Sequence, residues 1–228
     1  MAAAEEAVAI NRRLAELRPD AHLPDLAMAL TAVANRLAES GRFREALPAA
    51  EEAVGIHRRL AEATPEASLP GLAYAAGHLS VVLTELRRYK QALHAVEEAV
   101  AIYRRLADSQ PDAYLRRLAG MLTNLGLSRA NARSRRPALP PIEEAISIFR
   151  RLAEMDPGTY RPDLAQSLLT YADFCAAANT CLDAAHDSAA EAVVLYEALS
   201  RQQPHAFLDQ LRTARATHSG ITMRLRRR

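Results

Sequence analysis

The stretch EEAVAINRRLA, residues 5–15, recurs as EEAVGIHRRLA at residues 51–61, as EEAVAIYRRLA at residues 97–107 and as EEAISIFRRLA at residues 143–153. A fainter copy begins near Ala190. Five prolines follow the copies at almost the same spacing, namely Pro19, Pro65, Pro111, Pro157 and Pro204. A period of 46 residues predicts a stack of small supersecondary units, each of which buries its hydrophobic face against its neighbours.

The composition of the chain favours helices. Half of its 228 residues are hydrophobic, only 5% are aromatic, and glycine occurs 8 times. The hydrophobic residues are mostly Ala and Leu, which are strong helix formers, and runs of β-branched residues are absent. We therefore predict an all-α protein. Its net charge of +2 gives no general attraction to nucleic acids or membranes.

One period, residues 20–65, reads as two antiparallel helices joined by a tight turn. Apolar residues at helical spacing fill residues 26–37, and we expect this first helix to begin at about Pro24, because proline suits the first turn of a helix. Gly41 supplies a C-terminal stop. A second apolar stripe then extends over residues 43–60.

A small residue in the middle of the first helix, Gly41 and Phe43 at the turn, and Ala46 and Ala53 in the second helix resemble the tetratricopeptide repeat. That repeat has about 34 residues, so we expect the added dozen, from about residue 58 to residue 69, to lengthen the second helix and the connection after it. The long repeat is similar to actinobacterial and kinesin light-chain-like arrays. The resemblance implies an α-solenoid of antiparallel helix pairs with about ten helices.

We expect one repeat domain over residues 1–228. Its parts are a half unit at 1–19, units at 20–65, 66–111, 112–157 and 158–204, and a cap helix at 205–228. The chain opens out of phase, with a second helix over residues 3–18 that lacks its own first helix. Either the chain is a piece of a longer protein, or this open apolar edge pairs with another domain or with a second copy of the chain.

The resemblance also implies where a partner binds, since first helices line the concave face of such arrays. The positions on that face are Met28, Thr31, Asn35, Glu39, Tyr74, Val81, Glu85, Thr123, Leu127, Asn131, Gln166, Leu169 and Asp173. Their mixture of small, polar and apolar side chains suits shape-matched apolar contact edged by a few hydrogen bonds. We expect a protein or a peptide as the partner.

The third period departs from the pattern at its turn, where arginines replace the Gly and aromatic residues of the other repeats. The arginines are Arg129, Arg133, Arg135 and Arg136. They read either as a decayed turn on a solvated edge or as a patch that binds an anion or a partner. Pro140 and Pro141 are expected to delay or kink the next helix.

Paired glutamates and paired arginines recur in every copy, and they read as a charged outer face. We expect each first arginine to reach the acidic residue four positions on, as Arg12 reaches Glu16, and bridges to form between repeats. An arginine ladder that grips a polyanion is the alternative.

The sequence contains no recognisable catalytic or metal-binding motif. The seven histidines show no metal-ligand spacing, and Cys175 and Cys181 form neither a disulfide framework nor a metal motif. We therefore expect a non-enzymatic protein with no cofactor and no metal. The two cysteines, the lack of a signal peptide and the lack of an unbroken apolar run of membrane-spanning length predict a cytoplasmic protein. The near-exclusive use of arginine over lysine suggests a GC-rich, bacterial source.

These observations predict a scaffold that binds a protein or peptide in its concave groove. The resemblance further implies that the array is the sensor part of a larger signalling protein. The alternative is a structural scaffold that self-associates through its unpaired N-terminal helix. A further alternative is an anion or nucleic-acid binder that uses the arginines of the third turn. Steep salt dependence would mark that third function.

Overall fold

The structure, a computed structural model, describes residues 2–133 and 138–227. These residues form ten α-helices and no strand, which confirms the predicted all-α fold. The helices are α1 (Ala2–Leu17), α2 (Pro19–Glu39), α3 (Phe43–Ala63), α4 (Pro65–Glu85), α5 (Tyr89–Ser109), α6 (Pro111–Asn131), α7 (Leu139–Met155), α8 (Pro157–Ala178), α9 (Leu182–Gln202) and α10 (Pro204–Leu225).

The chain forms two compact units. Unit 1 comprises residues 1–133 and holds α1 to α6, and unit 2 comprises residues 134–228 and holds α7 to α10. Within each unit every helix packs against the next one along the chain. In unit 1 α2 also contacts α4 and α4 contacts α6, and in unit 2 α8 contacts α10. First helices are therefore neighbours within each unit, as in a solenoid of helix pairs. A single array over residues 1–228 stays a prediction.

Each first helix is followed by a tight turn that contains a left-handed residue. Gly41 has a φ of 72° there, and the equivalent positions in the following three repeats are Arg87, Arg133 and Asn179, with φ values of 59°, 67° and 52°. The left-handed residue lets the amide of the next residue bond back into the helix, as Arg42 does to the carbonyl of Leu37 at 2.9 Å. The same type of turn, with a left-handed residue after the first helix, therefore occurs in four repeats.

The connection after each second helix is a single residue, which corrects the expectation of a longer connection. Only Thr64 separates α3 from α4. Pro65 is the first residue of α4, where its fixed φ is already helical and its missing N–H is not needed. For the same reason α2 begins at Pro19 and not at Pro24, which lies inside that helix. The residues beyond the usual repeat length therefore extend both helices of the pair.

Small residues fill the core where helices cross. The alanines at two recurring positions, one at the start and one in the middle of the second helices, are all buried, namely Ala46, Ala92, Ala138, Ala53, Ala99 and Ala145. Ser80, in the middle of α4, is buried at the equivalent small position of a first helix. A larger side chain at such a position would separate the helices, and overpacking costs about 1–3 kcal/mol.

The helix after the arginine-rich turn begins late, as expected. α7 has 17 residues, whereas α3 and α5 have 21 each. Pro140 and Pro141 occupy its first turn, where the missing N–H groups cost no helical hydrogen bond.

Salt bridges join successive second helices on the outer face. These bridges include Arg12–Glu52 (2.6 Å), Arg58–Glu98 (2.6 Å) and Arg150–Glu191 (2.7 Å). The expected bridges between repeats are confirmed, but the i+4 partners within one helix were wrong for these arginines. These arginines bind across repeats because an extended arginine side chain is long enough to place its guanidinium beside a glutamate of the adjacent second helix. Since these side chains are largely exposed, each pair contributes at most about 1 kcal/mol.

Among the described residues, one helix is long and apolar enough to cross a membrane by length and composition alone. It is α4, and half of its most apolar window is buried inside the fold. A core helix of a helical protein passes the same test, and α4 packs against α3 and α5.

Candidate binding groove

Four large apolar side chains are exposed on the first helices of unit 1, all at positions that the resemblance predicted to lie on the concave face. They are Met28, Tyr74, Val81 and Leu127, with 67%, 39%, 41% and 40% of their surface exposed. Met28 and Tyr74 are equivalent positions of successive repeats, and Val81 lies seven residues, or two helical turns, after Tyr74. We call the exposed face of α2, α4 and α6 that carries them the first-helix groove.

Tyr74 lies at the centre of this groove and touches all three helices. The amide nitrogen of Asn35 on α2 donates a hydrogen bond to the Tyr74 hydroxyl at 3.0 Å. The ring of His78 lies 4.3 Å from the Tyr74 ring, centroid to centroid, and the Arg117 guanidinium of α6 lies 5.7 Å from the Tyr74 centroid. The cation–π contact and the hydrogen bond hold the ring in place while part of it stays exposed.

At the centre of the groove, the uncharged imidazole of His78 lies near the negative Glu39 and the positive Arg117. Burial is the main cause that lowers the pKa of His78, and the nearby Arg117 lowers it further, whereas Glu39 opposes the change. His78 is therefore neutral at pH 7, and the charged groups that the groove offers near it include Glu39 and Arg117. Sequence reasoning missed His78 and Arg117, although both lie on the same helices as predicted groove residues.

A cavity of about 540 Å³ opens next to Met28, between α2, the end of α3 and the start of α4. Its lining is mostly apolar and comprises Pro24, Met28, His57, Leu60, Ala63, Thr64, Ala67, Ser68 and Gly71. Its volume falls in the range of small-ligand and side-chain pockets.

His57 is the buried titratable group of this cavity. Burial lowers the pKa of His57, and its ring has no hydrogen-bond partner within the described part of the chain. Gly71 makes room for the ring, because a Cβ added there would lie 2.6 Å from Cε1 of His57. Equivalent repeats carry Tyr103 and Phe149 at the His57 position, so this repeat has a smaller ring beside a residue with no side chain.

Other predicted groove positions of unit 1 divide into buried and exposed groups. Thr31 is only 7% exposed, and its hydroxyl donates to the carbonyl of Ala27 at 2.8 Å. Thr123 is half-buried and its hydroxyl donates to Ala119 at 3.2 Å. Glu39, Glu85 and Asn131 are exposed at the ends of their helices. They form a polar rim beyond the apolar side chains.

In unit 2 the predicted positions hold the helices together. Gln166 accepts a hydrogen bond from the Tyr196 hydroxyl at 3.1 Å, and Asp173 accepts one from Thr217 on α10 at 2.8 Å. Leu169 is only 4% exposed. The open apolar face is therefore a feature of α2, α4 and α6.

The arginines of the third turn are only partly described. A nitrogen of Arg129 lies 3.7 Å from a carboxylate oxygen of Glu97, and Arg133 is exposed in the left-handed conformation noted above. Arg135 and Arg136 lie outside the described residues. Within residues 2–133 and 138–227, no group of three or more His, Cys, Asp or Glu side chains is placed to hold a metal ion.

Comparison with known proteins identifies the repeat. The family model described as Tetratricopeptide repeat matches residues 26–64 and 72–112. The crystal structure of BtubC (BKLC) from P. vanneervenii is similar over 99% of this chain and 87% of that chain, with 19% identity and a TM-score of 0.64. A structure described as "Podosopora anserina putative kinesin light chain nearly identical TPR-like repeats" covers 86% and 93% of the two chains, with 16% identity and a TM-score of 0.47. No curated protein gives a sequence match. The family model thus identifies tetratricopeptide repeats in residues 26–64 and 72–112, as the resemblance predicted.

Proposed function

We propose that this array of tetratricopeptide repeats is a protein-binding module that holds an extended peptide along the first-helix groove of unit 1. The tetratricopeptide fold is consistent with a protein-binding scaffold. The observation that carries the proposal is the row of exposed apolar side chains on α2, α4 and α6. Large apolar side chains clustered on one face and rimmed by polar groups mark interaction surfaces.

The chemistry of the groove defines the kind of peptide. An apolar side chain of the peptide fills the cavity beside Met28, where the neutral ring of His57 offers one hydrogen bond. A second apolar residue packs on the exposed part of Tyr74. Glu39 and Arg117 then favour peptide groups of opposite charge on either side, which fixes direction and register more than affinity.

A binding experiment with matched variants tests this function. Peptides are selected from a random linear library on the native chain, and their affinities are then measured for Met28→Arg and Leu127→Arg. Both substitutions place a long charged side chain on the groove without disturbing the core, since both residues are exposed. We expect affinity to fall at least about tenfold, which corresponds to about 1.4 kcal/mol.

The matched control is Val194→Arg, which makes the same type of change at an exposed apolar residue of α9. It should bind the selected peptides as tightly as the native chain does. Equal binding by the native chain and both groove variants would refute the proposal. So would a loss in the control as large as the loss in the groove variants.

A second candidate function, self-association, is supported by the exposed apolar side chains on the outer face of α1. This helix packs against α2, while Ile10 and Leu17 are 52% and 79% exposed. Two copies of the chain could pair through this face and form a structural scaffold. The mass in solution tests this, because Ile10→Glu should convert a dimer to a monomer, and a monomeric native chain rules the scaffold out.

A role as the sensor part of a larger signalling protein and a cytoplasmic location are further proposals. The gene sequence upstream of Met1 tests the first, because a longer reading frame would place the repeats behind another domain. Fractionation of source cells tests the second.

A further inference from the structure

Two histidines from neighbouring helices of unit 2 meet edge to edge. His186 is in the first turns of α9 and His218 is in the last turns of α10. Their Nε2 atoms lie 3.0 Å apart and their ring centroids 4.5 Å apart. Both side chains are half-buried, so solvent and small ions reach them. The proposed binding groove and its cavity belong to unit 1, so this histidine pair is not part of them.

One neighbour of the pair, Asp187, favours a particular tautomer of His186. A carboxylate oxygen of Asp187 lies 3.5 Å from Nδ1 of His186. A carboxylate at that distance favours the tautomer with the proton on Nδ1, which leaves the lone pair of Nε2 free. In the metal-free chain His218 then donates its Nε2–H to Nε2 of His186. If the proton of His218 moves to its own Nδ1, both Nε2 lone pairs become available to one ion, and neither ring changes its charge.

We propose that His186 and His218 together bind a late divalent transition metal ion, copper(II) or nickel(II), through their two Nε2 atoms. Imidazole nitrogen suits these metals, and metal–nitrogen bonds are about 2.0–2.1 Å long. Two such bonds at a right angle place the nitrogens about 2.9 Å apart, whereas a tetrahedral angle places them about 3.3 Å apart. The observed separation of 3.0 Å lets both nitrogens bind one ion at close to a right angle, which is the angle in tetragonal copper(II) and nickel(II) sites.

The site has two protein ligands, and water completes the coordination. Asp187 acts from outside by orienting His186, as carboxylates commonly do for metal-bound imidazoles. Because the two ligands come from α9 and α10, the bound ion links these two helices. The ion binds the folded unit better than the unfolded chain, so it stabilises the packing of α10.

Calorimetric titration with nickel(II) tests the site on the full chain without an affinity tag. The background carries Cys181→Ser, because the exposed thiol of Cys181 is a competing ligand. We expect one binding event, weakened about 100-fold in either His186→Gln or His218→Gln, because the second ligand no longer adds its intramolecular contact. His205→Gln, which removes an exposed histidine of the same helix α10, is the matched control and should bind like the parent.

Circular dichroism in the presence of a chelator shows whether each variant keeps its helices before metal is added. Copper(II) bound to the parent should show the electron paramagnetic resonance pattern of two nitrogen ligands, and each histidine variant should lose one of them. Three outcomes would overturn the proposal: no nickel binding by the parent, undiminished binding by folded His186→Gln and His218→Gln variants, or an equal loss in His205→Gln.

Discussion

The recurrent left-handed turn predicts that Arg87→Gly stabilises the protein. Arg87 has a φ of 59°, and a left-handed conformation costs an L-residue about 1–2 kcal/mol. Glycine avoids that cost but loses more backbone freedom on folding, by about 0.5–1 kcal/mol. The net gain in the free energy of unfolding is therefore about 0.5–1 kcal/mol. Gly41→Ala should do the reverse by about 1 kcal/mol, since a Cβ there meets no atom within 4 Å and the strained φ of 72° is its main cost.

Urea unfolding followed by circular dichroism measures both changes, with thermal melting as a second readout. A change of 1 kcal/mol shifts the melting temperature by about 2–4 °C in a chain of this size. Arg87→Ala is the matched control, because it removes the same charge and side chain but keeps an L-residue in the left-handed conformation. The reasoning fails if Arg87→Ala stabilises as much as Arg87→Gly does, or if Gly41→Ala is neutral.

Three further predictions concern side chains buried beside the groove and in unit 2. Gly71→Ala should cost about 1–3 kcal/mol of unfolding free energy, because its Cβ overlaps the ring of His57, and the loss should largely disappear when His57→Ala is combined with it. Burial lowers the pKa of His57 and His78, so the unfolded chain takes up protons more readily, and urea midpoints should fall as the pH drops below about 6.5. A His57→Leu, His78→Leu double variant should lose this fall between about pH 7.5 and pH 5, whereas the parent should keep it. Equal dependence of the urea midpoint on pH in the two proteins would refute the prediction. Burial raises the pKa of Cys175 to about 11, so a thiol reagent at neutral pH should label the exposed Cys181 and reach Cys175 only in urea, as peptide mass mapping would show.

The sequence predicted the fold because its period, its helix-stop signals and its apolar stripes all agree. It misplaced the start of the first helix because Pro19 and Pro24 satisfy the same local rule for the first turn of a helix. Only the packing of the whole pair decides between them, and the longer helix buries more surface. The partner of Arg12 was misjudged for a related reason, since the distance to Glu52 depends on how closely two repeats stack.

The binding role of the candidate groove stays a prediction. The resemblance to tetratricopeptide repeats placed Met28, Tyr74 and Leu127 on the concave face, and the structure shows that these three side chains are exposed. Register did not show that Thr31 is buried, since that depends on how deeply α2 sits against its neighbours. The pairing of His186 with His218 was not visible either, because these residues belong to no common repeat position.

The one-residue connections have a consequence for how such a gene changes length. An extra residue after a second helix would rotate the following helix by about 100° and turn its buried stripe outward, so duplication should add or remove whole periods. The additional residue of the fourth complete period supports this, because it lies in the other type of turn. There Cys181 joins Asn179 in a left-handed conformation before α9 begins at Leu182. Insertions, reporter tags and new recognition loops should therefore be tolerated at that turn and rejected at Thr64.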